Sequence, residues 1–273
     1  MDTMDYLEAY YNNYDEEGRL LRRHGQVEYV TTMTYIHKFL PEEDKGNCRI
    51  LEVGAGTGRY SIALAQAGYS VDSIELVEHN LNILKSKVKE GYRITARQGN
   101  ALDLSGYGDE TFDMTLVLGP MYHLYTEEDK KKALQEAIRV TKAKGYILVA
   151  YCMNEATILQ YCFGKNQLRE CISKNMLTED FHCISRPEDL FEIVRTEDIK
   201  RLTEGMGVTR IHLIAADGAA NYMQDVIDGM DDELYELYIR YHLSVCERQD
   251  LIGATNHSLD ILRKEQMNEN TGT

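Results

Sequence analysis

Between residues 47 and 152 short apolar runs alternate with stretches of helical period, and this alternation is what most narrows the folds open to the chain. NCRILEVG (47–54) is a brief apolar run ending in glycine, the pattern of a parallel strand buried on both faces. TGRYSIALAQAG (57–68) follows as a helix with Ile62, Leu64, Ala65 and Ala67 as apolar area and Gly68 as its stop. SVDSIEL (70–76) predicts a second strand, HNLNILKSKVKEG (79–91) a second helix with Leu81, Leu84 and Val88 at helical spacing, and YRITARQG (92–99) a third strand. FDMTLVLG (112–119) is strand four, EEDKKKALQEAIRVTKAKG (127–145) a helix, and YILVAYC (146–152) strand five. Repeated units of this kind form a doubly wound α/β sheet, mostly parallel, with helices on both faces.

The flanks are read more coarsely. An N-terminal helical stretch ends near Pro41, and a mostly polar, helical stretch runs from 153 to about 190. TEDIKRLTEGMG (196–207) is a capped helix, VTRIHLIAADG (208–218) strand six, 221–250 helical, HSLDILRK (257–264) a closing strand, and NENTGT (268–273) a frayed tail. The expectation is one domain over 1–273, with a helical cap at 1–40, a ligand-binding core at 45–152 and helical insertions at 153–195 and 217–256.

A net charge of −15 and a pI near 5.0 repel a phosphate backbone, so nucleic acid is not an expected partner. No window holds 18 uninterrupted apolar residues, and MDTMDYLEAYY is acidic and aromatic where a signal peptide is basic and then apolar, so neither a membrane nor export is expected and the location expected is cytoplasmic. The six cysteines never form C-x-x-C; those from Cys152 to Cys183 read as free thiols in preference to a cluster for a soft metal, and no metal is expected.

LEVGAGTGRY (51–60) stands where a doubly wound sheet binds its ligand, beyond the carboxyl end of strand one. Its spacing is G-x-G-x-G, with Glu52 ahead of it, where a dinucleotide fingerprint reads G-x-G-x-x-G. Glu75, closing strand two, is placed to accept the hydroxyls of a ribose. In GNALDL (99–104), Asn100 and the backbone of Ala101 are placed to read an adenine edge.

With these residues in view, the chain resembles the class I S-adenosylmethionine-dependent methyltransferases. EVGAGTG resembles the first motif of that family, SVDSIELVEHNL its second-strand region, GNALDL its adenine-contact motif, and FDMTLVLGPMYHL and ALQEAIRVTKAKGYILVAY its fourth-strand and fifth-strand blocks, together covering residues 45 to 152. Glu75 and Asn100 stand where aspartate is common, and Ala143-Lys144-Gly145 replaces a proline-glycine-glycine turn. The resemblance implies a seven-stranded sheet in the order 3-2-1-4-5-7-6, its last strand antiparallel, and S-adenosylmethionine as cofactor with S-adenosylhomocysteine as product. It implies that Glu52, Gly54, Ala55, Gly56, Thr57 and Gly58 pack against the amino acid and sugar, that Glu75 and Leu76 bind the ribose, that Asn100 and Ala101 bind the adenine, and that Leu118 and Gly119 line the methionine end. On that sheet, both insertions emerge at the ligand edge and are expected to form a lid.

Methyl transfer from a sulfonium is an in-line displacement in which the protein aligns the nucleophile and excludes water. GPMYHL (119–124) puts Tyr122 and His123 where the family meets its acceptor; His123 is read either as a general base or as a residue that shapes the pocket. Tyr11 and Tyr14, on the segment that in this family folds over the cofactor, are read either as cofactor contacts or as one face of an amphipathic helix. Asn256 and His257, opening the closing strand, are candidate substrate contacts. The expected function is methyl transfer to an oxygen, nitrogen or sulfur atom of a small-molecule acceptor. The alternatives are an RNA or protein methyltransferase, and a non-catalytic S-adenosylmethionine-binding regulator or scaffold.

Overall fold

A computed structural model describes residues 3–12 and 22–266. Helix α1 (Thr3–Tyr11) and helix α2 (Arg23–Phe39) precede strand β1 (Arg49–Val53). The core continues as α3 (Arg59–Gln66), β2 (Ser70–Glu75), α4 (Glu78–Lys87), β3 (Ile94–Gln98), β4 (Phe112–Val117), α5 (Glu127–Val140) and β5 (Thr141–Met153). Beyond β5 come α6 (Asn154–Thr157), a π-helical turn (Ile158–Gly164), α7 (Leu168–Ser173), a two-residue strand β6 (Ile193–Val194), α8 (Thr196–Leu202) and β7 (Val208–Ala215). Helices α9 (Gln224–Asp228), α10 (Asp232–Val245) and α11 (Gln249–Ile252) lead to β8 (His257–Lys264).

The strands form one sheet in the order β3-β2-β1-β4-β5-β8-β7, with β6 on β5 off that path. This is the expected order with one strand added: β6 pairs in parallel with Cys152 and Met153, beyond the residues of β5 that pair with β4. Pairing is parallel from β3 to β5, and β8 is antiparallel to both neighbours. Because β8 runs backwards, its first residue, His257, reaches the edge where the parallel strands end, beside Cys152.

Helix α5 shows how the sequence builds a layer. Thr126 caps it by accepting from the Asp129 backbone N–H at 3.1 Å, three acids occupy the first turn, and Ala133, Leu134, Ala137 and Val140 bury one stripe against the sheet. The helix ends at Val140, five residues before the expected boundary. Thr141 already pairs with Phe112, and Lys144, at φ +65°, leads into Gly145, where a Cβ would lie 2.8 Å from the Asp113 carbonyl. Local helical period continued through this segment, but a strand partner overrode it.

The segments flanking the core are more irregular than expected. Residues 153–195 hold two short helices and the π-helical turn, and 221–250 breaks into three helices. No helix among the described residues is long and apolar enough to cross a membrane.

Candidate cofactor and acceptor site

The loop after β1 is tied to the next strand by its backbone: Gly54 N–H and Ala55 N–H both donate to the Ile74 carbonyl, at 2.8 and 3.0 Å. Gly54, Gly56 and Gly58 all have positive φ, at +73°, +54° and +87°, a region that costs side-chain-bearing residues energy. Their surroundings differ. A Cβ at Gly54 would lie 2.6 Å from Pro120, and one at Gly58 2.6 Å from Leu84, but a Cβ at Gly56 would meet no protein atom within 4 Å. Gly54 and Gly58 are therefore glycine for packing, and Gly56 keeps open a space that a ligand can enter.

That space is a cavity of about 560 Å³ at the carboxyl ends of the parallel strands. Its wall brings together most of the residues singled out in the sequence: Glu52, Gly54, Ala55, Gly56 and Thr57; Glu75 and Leu76; Asn100 and Ala101; Leu118, Gly119, Tyr122 and His123; and Tyr11. Gly58 is not on the wall; it stands behind it as the N-cap of α3. Tyr14 lies outside the described residues.

Glu75 is buried, and its two oxygens accept from the backbone N–H of Gly56 at 2.7 Å and of Val77 at 2.9 Å. These bonds fix the carboxylate plane, and the Leu76 backbone and the Asn80 side chain hydrogen-bond to the carboxylate as well. Burial raises its pKa, and the backbone donors oppose that rise. Glu52 is 1% exposed and is pushed up to about 8 by burial, against the hydrogen bond donated by Ser61. It is largely a neutral acid at pH 7. The Asn100 side-chain carbonyl accepts from Leu102 N–H at 3.0 Å, an Asx turn that leaves the amide nitrogen to serve a ligand.

The 3₁₀ turn Pro120–His123 holds Tyr122 and His123, the candidate catalytic residues. His123 Nδ1 lies 2.8 Å from the Leu190 carbonyl, and its Nε2 lies 3.0 Å from the Tyr11 hydroxyl. A carbonyl only accepts, so Nδ1 carries the proton and a neutral His123 accepts at Nε2 from Tyr11 O–H. Burial lowers the His123 pKa, and the Leu190 bond opposes that shift. Tyr125 donates to the same Leu190 carbonyl at 2.7 Å, and Leu190 itself sits at φ +71°. Tyr11 is delivered by α1, whose Met4, Leu7 and Tyr11 line the cavity at helical spacing, and Tyr10 packs edge-on against Phe191.

The structure does not bring Asn256 and His257 to this wall. Asn256 uses its side chain on Gln160 and its backbone N–H on Asp217. His257 stands one layer back, with Nδ1 2.8 Å from Asp217 Oδ2 and 3.4 Å from Glu28 Oε2, and these carboxylates hold its pKa well above the ordinary value despite burial. Of the two segments expected over the site, 153–195 contributes Pro187 to the cavity and 217–256 contributes nothing. Sequence reasoning missed Glu28, Arg59 and Tyr60, which line the cavity from α2 and α3, and the Leu190 carbonyl that fixes His123. A backbone carbonyl in a loop leaves no signature in residue types. Glu28 sits within an ordinary helical pattern.

The glycine cradle, the anchored acid after β2 and the exposed amide after β3 suit a ligand with a sugar and a base, so the residues present fit S-adenosylmethionine. Residues 50–145 match the family model for a methyltransferase domain. A glycine/sarcosine N-methyltransferase of Aphanothece halophytica is 27% identical over 147 residues, 53% of either chain. The chain spans about half the length of the curated relatives it matches. Among solved structures, a Thermotoga maritima methyltransferase described as a possible histamine N-methyltransferase superposes with a TM-score of 0.56 at 18% identity, covering 96% of this chain and 99% of that one. Phosphoethanolamine N-methyltransferase 1 of Haemonchus contortus, solved with phosphoethanolamine and S-adenosylhomocysteine, gives 0.59 at 15% identity, covering 99% of this chain and 50% of that one. Sheet order, glycine loop and family model agree: residues 50–145 are similar to the methyltransferase-domain family, and the fold is that of the Rossmann-like methyltransferases.

Proposed function

We propose that the protein transfers a methyl group from S-adenosylmethionine to an oxygen, nitrogen or sulfur atom of a small molecule. The observation that carries this reading is the closed arrangement of Tyr11 and His123: α1 lies over the cavity, and its tyrosine hydroxyl bonds the histidine that follows β4. A cavity roofed in this way admits a small acceptor more readily than a folded macromolecule.

Bound S-adenosylmethionine supplies an electrophilic methyl on sulfur. Glu75 holds the ribose, Asn100 and Ala101 the adenine, and the backbone of Gly54 to Thr57 with Leu118 and Gly119 the remainder. Tyr11 and His123 manage the proton of the acceptor. As the acceptor loses its proton to the Tyr11 oxygen, Tyr11 passes its own to His123 Nε2, while the Leu190 carbonyl keeps the ring oriented through Nδ1. A nitrogen acceptor suits this pair best, because an ammonium must lose a proton before its lone pair can attack. The name of the glycine/sarcosine N-methyltransferase relative supports the same atom.

The test is isothermal titration with S-adenosylmethionine and S-adenosylhomocysteine, followed by methyl-transfer assays across small amines, alcohols and thiols. Binding of both and turnover with at least one acceptor is expected. Absence of binding overturns the reading, and binding without turnover on any acceptor points to the non-catalytic alternative.

A further inference from the structure

The loop that holds His123 is itself strained. Leu190 has φ +71° and ψ −42°, and Phe191 N–H donates to the Asp189 carbonyl at 2.9 Å across it. Leu190 is thus the centre of a γ-turn of positive φ, a rare and costly conformation for a residue with a side chain. The turn aims the Leu190 carbonyl at two donors, His123 Nδ1–H and the Tyr125 hydroxyl, which take both of its lone pairs. Phe191, next in the chain, packs on the His123 ring with centroids 5.5 Å apart and receives Tyr10 of α1 on its edge.

A strained turn keeps its shape only where its flanks are fixed. On the first flank, Arg186 N–H donates to Asp189 Oδ2 at 3.1 Å and Leu190 N–H to the Pro187 carbonyl at 3.2 Å, bonds that close within the loop. The second flank is Glu192, and its bonds leave the loop. Its backbone N–H donates to the Tyr122 carbonyl at 2.6 Å, and its carboxylate meets the ammonium of Lys130, near the start of α5, with the Ser185 hydroxyl as a further donor. Tyr122 precedes His123 in the 3₁₀ turn and α5 starts just beyond it, so Glu192 joins the strained turn to both sides of the histidine. The Lys130 and Glu192 side chains are only 8% and 12% exposed. Little water competes for the pair, and removing one partner leaves the other charge buried and uncompensated.

We infer that Lys130 and Glu192 are positioning residues for the methyl-transfer step: their buried ion pair holds the Leu190 turn in its strained form, and the Leu190 carbonyl then keeps the proton of neutral His123 on Nδ1, leaving Nε2 to accept from Tyr11. Neither side chain lines the cavity, so their effect reaches the acceptor through His123. Without the pair, Leu190 relaxes toward negative φ and its carbonyl turns away. His123 then also takes the tautomer with the proton on Nε2, which cannot accept from Tyr11. The inference rests on the role given to His123 in the methyl-transfer reading.

The experiment compares the parent with Lys130→Met, Lys130→Arg and the double variant Lys130→Met/Glu192→Leu. It reads the His123 tautomer by long-range proton–nitrogen NMR correlation, assigned against His123→Ala, and methyl transfer as kcat and KM. The parent should show the proton on Nδ1 alone. Lys130→Met should show both tautomers, with kcat lowered about tenfold or more and the KM for S-adenosylmethionine within about threefold. Lys130→Arg keeps the cation and should stay within about threefold of the parent in kcat. The double variant leaves no unpaired charge, so its melting temperature should return toward that of the parent while both tautomers and the low kcat persist. It carries the test where Lys130→Met does not fold. An Nδ1 proton alone, or a parent-like kcat, in the double variant overturns the inference, because packing and not the ion pair then holds the turn. If the parent methylates no acceptor, the methyl-transfer reading fails instead, and the tautomer measurement still decides whether the pair holds the turn.

Discussion

His123 is placed to act only as a neutral ring, because Nδ1 donates to Leu190 and Nε2 accepts from Tyr11. Burial holds its pKa below the ordinary 6.5, so the active form is present at neutral pH and is lost as pH falls through that lowered value. The acid limb of kcat/KM should therefore inflect below 6.5 and vanish in His123→Ala; an inflection above 6.5 would assign the limb to another group. His123→Ala and Tyr11→Phe should each lower kcat about 100-fold or more, with S-adenosylmethionine affinity changed by less than about threefold, since the lost interaction serves proton transfer. Unchanged turnover in either variant would reduce the pair to a structural latch. Glu52 gives a stability prediction of opposite pH sense. Its folded pKa is raised to about 8, so the stability it contributes is full below the ordinary carboxylate range and falls as pH climbs toward 8. Glu52→Gln removes that loss and retains a polar side chain beside Ser61. Its melting temperature should exceed that of the parent at pH 8 by a few degrees, and the gap should close near pH 5.

At the scale of elements, the glycine loop separates two kinds of constraint that one motif conceals. Gly58→Ala adds a strained positive φ and a clash with Leu84, so it should cost about 1–3 kcal/mol, seen as a lower denaturation midpoint. Gly56→Ala meets no protein atom. Its main effect should be on the ligand that occupies the opening, with S-adenosylhomocysteine affinity falling about tenfold or more. If Gly56→Ala binds normally, the opening beside that glycine is not where the cofactor lies. The loop was legible in the sequence because strand, glycine spacing and following helix all occur within a dozen residues, and the same local consistency made β1 to β5 legible. The end of α5 was not. Val140 continues the helical period, and only the pairing of Thr141 with Phe112 across the sheet, together with the close approach of Gly145 to Asp113, ends the helix there. Strand β6 escaped for a related reason: two residues, Ile193 and Val194, carry no period and are strand only because Cys152 and Met153 extend past β4.

Across the whole molecule, what stayed illegible depends on contacts between distant parts of the chain. Asn256 and His257 were placed correctly at the ligand edge of the sheet by topology, yet depth within that edge is set by α2, which interposes Glu28 between His257 and the cavity. The roof shows the same dependence. Tyr11 reaches a histidine 112 residues away, and no spacing rule encodes that meeting. The position of α1 makes a further prediction at this scale. Its attachment includes buried Leu7, the Tyr11–His123 bond and the edge contact of Tyr10 with Phe191, and it lies outside the sheet, where a seven-pair register joins β5 to β8. Elements near a chain end and outside the central sheet open locally at lower free energy than the sheet. A ligand that fills the cavity touches Met4, Leu7 and Tyr11 directly and should stabilise the closed position of α1. Saturating S-adenosylhomocysteine should thus slow amide hydrogen exchange in residues 6–11 by about tenfold or more and leave β4 and β5 nearly unchanged. Equal exchange with and without ligand would show that α1 does not sense the cavity it lines, and the Tyr11–His123 proton path would lose its support.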